Sequence, residues 1–212
     1  MSDSWLDPDW DILALEQSPA NIGFDDSRVY LLIESELIPD WKISLYQQVN
    51  EQGGEAPYFV YLFADTAYQH IERGPVLLDV THYPSLQKLW LTQFEVLPAG
   101  CVLLTDDAVE VSNLVDVLRH RLTVVKKDNP TFLRYYEPRM LLPFLGVLSA
   151  EERQLFLPGV YSLCWYYQQW LYAQWPAVQT KKVQLAPWSI TSQKLQKMTD
   201  IMTSIQSYEA GV

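Results

Sequence analysis

The chain has little of what most metal, nucleophile or phosphate sites are built from. It holds 2 cysteines, 3 histidines and 8 glycines in 212 residues. Cys101 and Cys164 each sit in an apolar run, 63 positions apart and without a CxxC spacing. A disulfide framework is excluded, buried free thiols are expected, and a reducing compartment fits. His70, His82 and His120 form neither HExxH nor HxxxH and have no metal spacing with the cysteines. GxxxxGK[ST], GxGxxG and GxSxG are all missing, so neither a phosphate cradle nor a nucleophile elbow is encoded. No catalytic, cofactor-binding or metal-binding residue is expected from these patterns, and no enzyme activity. Positive charge is short as well: 15 Lys+Arg face 26 Asp+Glu, a net charge of −11. That excludes a general nucleic-acid binder, whose affinity comes from neutralising phosphates, and a polybasic membrane-surface protein. Apolar runs fall short of the ~20 residues of a membrane span. The N-terminus lacks the basic and apolar regions of a signal peptide, so a cytoplasmic protein is expected.

What is present is apolar and aromatic. Hydrophobic residues make up 49% and aromatic residues 13%, a composition that folds rather than one that stays disordered. A chain of this length buries roughly 70% of its extended surface, enough for one full core or two small ones. The charge is unevenly spread. Residues 1–27 carry seven acids and no Lys or Arg, and residues 28–118 carry 13 acids and 4 bases. Residues 119–212 carry 11 bases against 6 acids, a net of +5. Two readings stand: ordinary solvated surface, or two faces of opposite sign that orient a partner.

The periodicities predict an α/β (or α+β) fold: an acidic N-terminal segment 1–27 packing on the body, an α/β lobe 28–120, and a C-terminal lobe 121–212. Short β-branched and apolar runs at 29–33, 58–63, 76–80 and 101–104 read as strands. Helices are expected after Pro39, around 67–71, and after Pro84. A further helix follows Asp107, which with Glu110 makes a capping-box-like start. Residues 122–126 and 132–136 read as a hairpin around Asp128-Asn129-Pro130. Pro138 and Ser149 each open a helix. Residues 161–175, with seven aromatics in fifteen positions, read as strand. Leu195, Met198, Met202 and Ile205 mark a final amphipathic helix.

Few residues suggest chemistry. Glu34 with Glu36 and Asp106 with Asp107 are acid pairs of the kind glycoside hydrolysis uses, but surface acids are common here and Asp106 and Asp107 suit a helix N-cap. The aromatic run 161–175 contains no Lys or Arg. It therefore reads as core or protein interface rather than as a nucleic-acid stacking platform.

The most informative stretch is Leu133-Arg134-Tyr135-Tyr136-Glu137-Pro138-Arg139. It resembles the "RFYDPR" signature of the type VI secretion effector chaperone or adaptor family, catalogued as a domain of unknown function. Other pieces follow in the family's order. Tyr30-Leu31-Leu32-Ile33 resembles its opening strand, and Leu62-Phe63 followed by Thr66 resembles its "LF.GT" turn. Gly74-Pro75-Val76-Leu77 resembles its "aPyLv" strand. The segment from Val115 to Leu122, with Arg119, His120 and Arg121, resembles its "LRRHLRR" helix end. Leu155-Phe156 and the aromatic run resemble its C-terminal part, so the likeness covers roughly residues 28–170. Three positions depart: Glu34 and Glu137 stand for the family's Asp, and Asp65 precedes Thr66 where the turn lacks its Gly.

The resemblance implies a protein that binds a toxic effector, keeps it soluble and helps load it onto the VgrG spike, with no cofactor. The two lobes would clamp an apolar effector segment and shield it. Candidate partner-binding residues are Arg119, Arg121, Arg134, Tyr135, Tyr136, Arg139, Tyr161, Trp165 and Trp170. For the signature the alternative is structural. Arg134 and Arg139 would anchor the fold on acids such as Glu137 or Asp79, with one of the two tyrosines in the core. Two other functions compete: an immunity protein that blocks a toxin, and an α/β enzyme with an unfamiliar site. The effector, the contact surface, the release mechanism, the oligomeric state and the order of residues 1–27 are not readable from the sequence.

Overall fold

Residues 29–33 are apolar without a break, so whichever way the strand faces, both sides of its sheet need covering. The computed structural model, which describes residues 5–22, 24, 27–52, 54–176 and 185–211, meets that need with a layer of helices on each face. A 3-10 turn at Pro8–Trp10 and the short strand β1 (Leu13–Ala14) precede helix α1 (Pro19–Ile22). Then follow β2 (Arg28–Glu34), α2 (Trp41–Gln52), β3 (Phe59–Tyr61), β4 (Pro75–Asp79), α3 (Pro84–Val96) and β5 (Gly100–Thr105). Next come α4 (Val111–Arg121), the hairpin β6 (Thr123–Lys126) and β7 (Asn129–Phe132), α5 (Pro138–Gly146) and α6 (Ala150–Phe156). β8 (Val160–Tyr167), β9 (Gln169–Gln174), β10 (Trp188–Ile190) and α7 (Ser192–Gly211) complete the chain.

The fold class is mixed α/β, as the alternation of elements indicated. The main sheet has seven strands in the order β1-β9-β8-β5-β2-β4-β3, and every neighbouring pair is antiparallel. Within it, β2-α2-β3-β4-α3-β5 forms a split β-α-β-β-α-β unit with strand order β5-β2-β4-β3. The sheet runs past the boundary drawn at residue 120. β8 pairs with β5 and β9 with β8, so the aromatic run of the C-terminal half extends the sheet of the N-terminal half. A smaller sheet, β10-β6-β7, lies apart from it.

One face of the main sheet packs Val29, Leu31, Ile33, Val76, Leu78 and Val102 under α2 and α3, through Trp41, Leu45, Val49, Leu86, Trp90 and Phe94. The other face packs Tyr30, Leu32, Leu77, Leu103, Leu163 and Trp165 under α4, α5, α6 and α7. Full burial of a Val, Leu, Ile or Phe side chain is worth roughly 1.5–3 kcal/mol, so these two layers dominate the stability. The acidic N-terminal segment does pack on the body: Leu6 and Ile12 are buried, and β1 closes the sheet edge on β9. Cys101 and Cys164 are buried free thiols, and burial pushes both above the ordinary thiol range.

Several local expectations need correction. Residues 67–71 form turns rather than a helix; Thr66 Oγ1 donates to Phe63 O at 2.7 Å and accepts from Tyr68 N–H, which holds the chain in a turn. Asp107 does not cap α4. The N-cap is Glu110, without a side-chain bond, while Asp106 accepts from Ala108 N–H and Asp107 pairs with Arg28 at 3.6 Å. In the hairpin the turn is Lys127-Asp128, with φ of 49° and 62°, and Asn129 and Pro130 already belong to β7. That φ pattern is the mirror-image turn whose twist suits a two-residue hairpin. Ser149 caps α6 with a reciprocal Glu152 bond.

Gly100 begins β5 between the main chain of β2 and the Phe94 ring of α3. A Cβ there would lie 2.3 Å from Leu32 O and 2.8 Å from Phe94 Cζ. Gly100→Ala is expected to destabilise the protein by about 2 kcal/mol through overpacking. Gly54→Ala, where a methyl group meets no described atom within 4 Å, is expected to stay within about 0.5 kcal/mol. Urea midpoints of the two variants check this.

Candidate functional site

Six separated stretches meet at the end of the sheet where β2 stops. Glu34, the last residue of β2, is only 4% exposed. Its N–H donates to Ala99 O at 2.7 Å, and its carboxylate is held by Arg134. The next residue, Ser35, donates its hydroxyl to Gly74 O at 2.7 Å, tying the loop before β4 to the end of β2. Gly74 is required there, because a Cβ would lie 2.3 Å from the Phe63 ring. On the same turn, Asp65 has a left-handed φ of 59° and pairs with Arg119 at 3.3 Å. Arg119 also donates to Tyr61 O at 3.2 Å.

Residues 133–137 form a turn between β7 and α5, not a strand, because the ladder closes with Leu133 N–H donating to Leu122 O, and Pro138 and Arg139 open α5. Tyr135 and Tyr136 therefore do not point to opposite faces. Both are buried, with rings edge-to-face at 5.8 Å, and Tyr135 donates to Leu118 O at 2.8 Å. Burial pushes the Tyr135 phenol well above its ordinary range. It pushes Tyr136 up to about 12, against the pull of Arg134. Arg134 links Glu34 to Glu137, and Glu137 accepts from Arg139 Nε at 3.1 Å. The result is an alternating chain Glu34–Arg134–Glu137–Arg139 that runs from a buried carboxylate out to a 74% exposed guanidinium. Glu137 is thus an anchor for both arginines, whereas Asp79 takes part in neither pair.

The sequence-derived site residues divide by depth. Arg121, Tyr135, Tyr136, Trp165 and Trp170 are interior, none above 4% exposed. Arg121 spends its donors on the carbonyls of Phe156, Leu155 and Ala186, and burial lowers its pKa. Trp165 lies within the second core layer, and Trp170 donates to Glu95 at 2.7 Å. The other four, Arg119, Arg134, Arg139 and Tyr161, keep some exposure to solvent. The first three share the surface described above. Tyr161 lies elsewhere, bonded to Ser27 and lining a cavity of about 550 Å³ with Asp106, Tyr172 and Trp175. The acid pair Glu34 and Glu36 is split by burial, Glu34 interior and Glu36 exposed. Sequence reasoning passed over Arg153, which is 1% exposed and donates to Leu145 O, Trp10 O and Asp11. A lone Arg in a short capped helix carries no local mark of burial. Among the described residues no group of three His, Cys, Asp or Glu side chains is placed to hold a metal ion.

The family model described as Domain of unknown function (DUF4123) matches residues 29–155. The chain belongs to this family. The match runs from β2 into α6 and includes every member of the network around Glu34 and Arg134. The strands β8 and β9 and the helix α7 lie beyond it, although β8 and β9 complete the main sheet. No curated protein and no solved structure matches the chain.

Arg134→Ala would leave Glu34 buried and unpaired. Its cost is expected at about 2 kcal/mol, below the range for a fully buried pair because Arg134 is 41% exposed. The double variant Glu34→Gln/Arg134→Ala is expected to recover part of that loss, measured by a double-mutant cycle in urea. The phenols give a pH signature. Tyr136 titrates near 10 when unfolded and at about 12 when folded. Its contribution is therefore complete below about pH 10 and is lost as pH rises towards 12. Thermal melts across that window are expected to show Tm falling, and falling less in Tyr136→Phe.

Proposed function

We propose that this protein is an adaptor of the type VI secretion system: it binds a secreted effector, keeps it soluble in the cytoplasm and passes it to the VgrG spike. The observation that carries the reading is the DUF4123 match over residues 29–155, a family linked to type VI effector adaptors. The geometry supports it in a specific way. The stretches that carry the family resemblance, far apart in sequence, converge on Glu34 and Arg134, Ser35 and Gly74, and Asp65 and Arg119. Most of these contacts hold the fold, and they leave Arg139, Asp65 and part of Arg134 at the surface as exposed charged groups. Binding rather than catalysis suits such a surface, because arginine presents fixed donors to a partner's carboxylates and carbonyls. In this reading the protein is not an enzyme and uses no cofactor. No described helix is long and apolar enough to cross a membrane.

The decisive experiment is co-expression with the product of the neighbouring gene and with the spike protein. The soluble yield of the effector is expected to rise, with a stable complex on size exclusion and the effector's own activity intact. Stoichiometric inhibition of that activity would identify an immunity protein instead. Absence of a complex with either partner would overturn the adaptor reading.

A further inference from the structure

The main sheet ends on β3. It pairs with β4 on one side, and no strand among the described residues pairs with the other. The register is Phe59 to Leu78, Val60 to Leu77 and Tyr61 to Val76. It is continued by Asp79 N–H to Tyr58 O and Leu62 N–H to Pro75 O, both 2.9 Å. In an antiparallel ladder this turns the polar groups of residues 58, 60 and 62 towards β4 and those of Phe59 and Tyr61 outward. Tyr61 O is taken by Arg119. Among the described residues, nothing bonds the N–H or C=O of Phe59 or the N–H of Tyr61. The outer strand of the small sheet differs: by the same alternation its outward positions are Pro130, which has no N–H to offer, and Phe132.

A cation flanks the open edge on each face. Lys42 Nζ lies 5.3 Å from the Phe59 ring centre and 5.0 Å from that of Tyr61, and makes no ion pair among the described residues. On the opposite face Arg119 reaches the edge at Tyr61 O. Tyr58 is 50% exposed beside the strand. Tyr46, 44% exposed, sits one helical turn from Lys42 on the same side of α2.

We propose that the edge of β3 docks an extended acidic segment of a partner protein, which adds to the main sheet as a further strand. The proposal rests on the effector-binding reading and names the contact that reading lacks. Main-chain bonds at Phe59 and Tyr61 supply the register, and the carboxylates on every second residue of the guest share one face and meet Lys42 there. A second copy of this chain is the poorer guest. Two-fold pairing of β3 with itself sets Lys42 against Lys42, in a chain of net charge −11.

The test selects a displayed library of random peptides, roughly 12 residues long, against the full chain and titrates the recovered peptides by fluorescence anisotropy. Recovered peptides are expected to alternate apolar residues with Asp or Glu. Lys42→Glu is expected to raise their Kd about tenfold or more, and Lys197→Glu on α7 to leave it unchanged. Phe59→Pro removes an outward N–H but no internal ladder bond, and is expected to weaken binding similarly. Lys42→Glu alone decides the matter if Phe59→Pro does not fold. Phe59 and Tyr61 amides are expected to gain hydrogen-exchange protection on binding. Peptides that bind both variants as tightly as the parent, or no recovered peptide, would overturn the proposal. So would dimerisation lost in Phe59→Pro, which would assign the edge to a second copy. An intact effector held equally well by Lys42→Glu would remove the edge and leave the adaptor reading in place. Edge-binding peptides without any captured effector would do the reverse.

Discussion

The structure depends on one constraint: a sheet that is apolar on both faces. Val29, Tyr30, Leu31, Leu32 and Ile33 are each no more than 1% exposed, and every residue of β5 is buried. Sheets buried on both sides are usually parallel, because crossover helices cover them as they form. Here the strands are antiparallel, and the cover comes from two parts of the chain. The helices α2 and α3 arise from the split unit itself, while α4 to α7 come from the C-terminal half. That is why β8 and β9 belong to the same sheet as β2. A separate C-terminal lobe would have left the second face of β2, β4 and β5 exposed to water.

Arginine holds the second layer in place. Arg121 and Arg153 are almost fully buried, and each spreads its planar donor set over main-chain carbonyls near helix ends, where intrahelical partners run out. Arg153 also reaches Trp10 and Asp11, fastening the N-terminal segment to the junction of α5 and α6. Three of these arginine contacts join the basic half of the sequence to the acidic half: Arg119 to Asp65, Arg134 to Glu34 and Arg153 to Asp11. The lopsided charge along the chain is therefore partly consumed in ion pairs within the fold. Among the cations that reach the surface are Arg139, at the end of the Arg134–Glu137–Arg139 chain, and Lys42 beside β3.

Elements with regular apolar spacing were legible from sequence, because periodicity reports burial directly. The strands at 29–33, 76–80 and 101–104, the hairpin and the aromatic strands all stand within a few residues of their expected positions. The misses have physical causes. Residues 67–71 carry apolar side chains at helical spacing, yet Thr66 hydrogen bonds hold them in turns and Tyr68 packs on Phe132 at 4.5 Å. The signature's two tyrosines look like a strand pair, but the chain turns at Leu133 and sends both inward. Trp165 and Trp170 have the composition of an interface, and only the covered faces of the sheet make them core, Trp165 in the second layer and Trp170 in the first.

By itself the sequence determined the mixed α/β class, the buried thiols and the family, because these rest on composition, local periodicity and short motifs. The tertiary structure alone decided which charges are spent. Whether an arginine anchors the fold or faces a partner depends on residues a hundred positions away, as Glu34 is from Arg134. It alone also decided that β3 ends the sheet. A strand's own residues specify that it pairs, but not which of its edges is left without a neighbour.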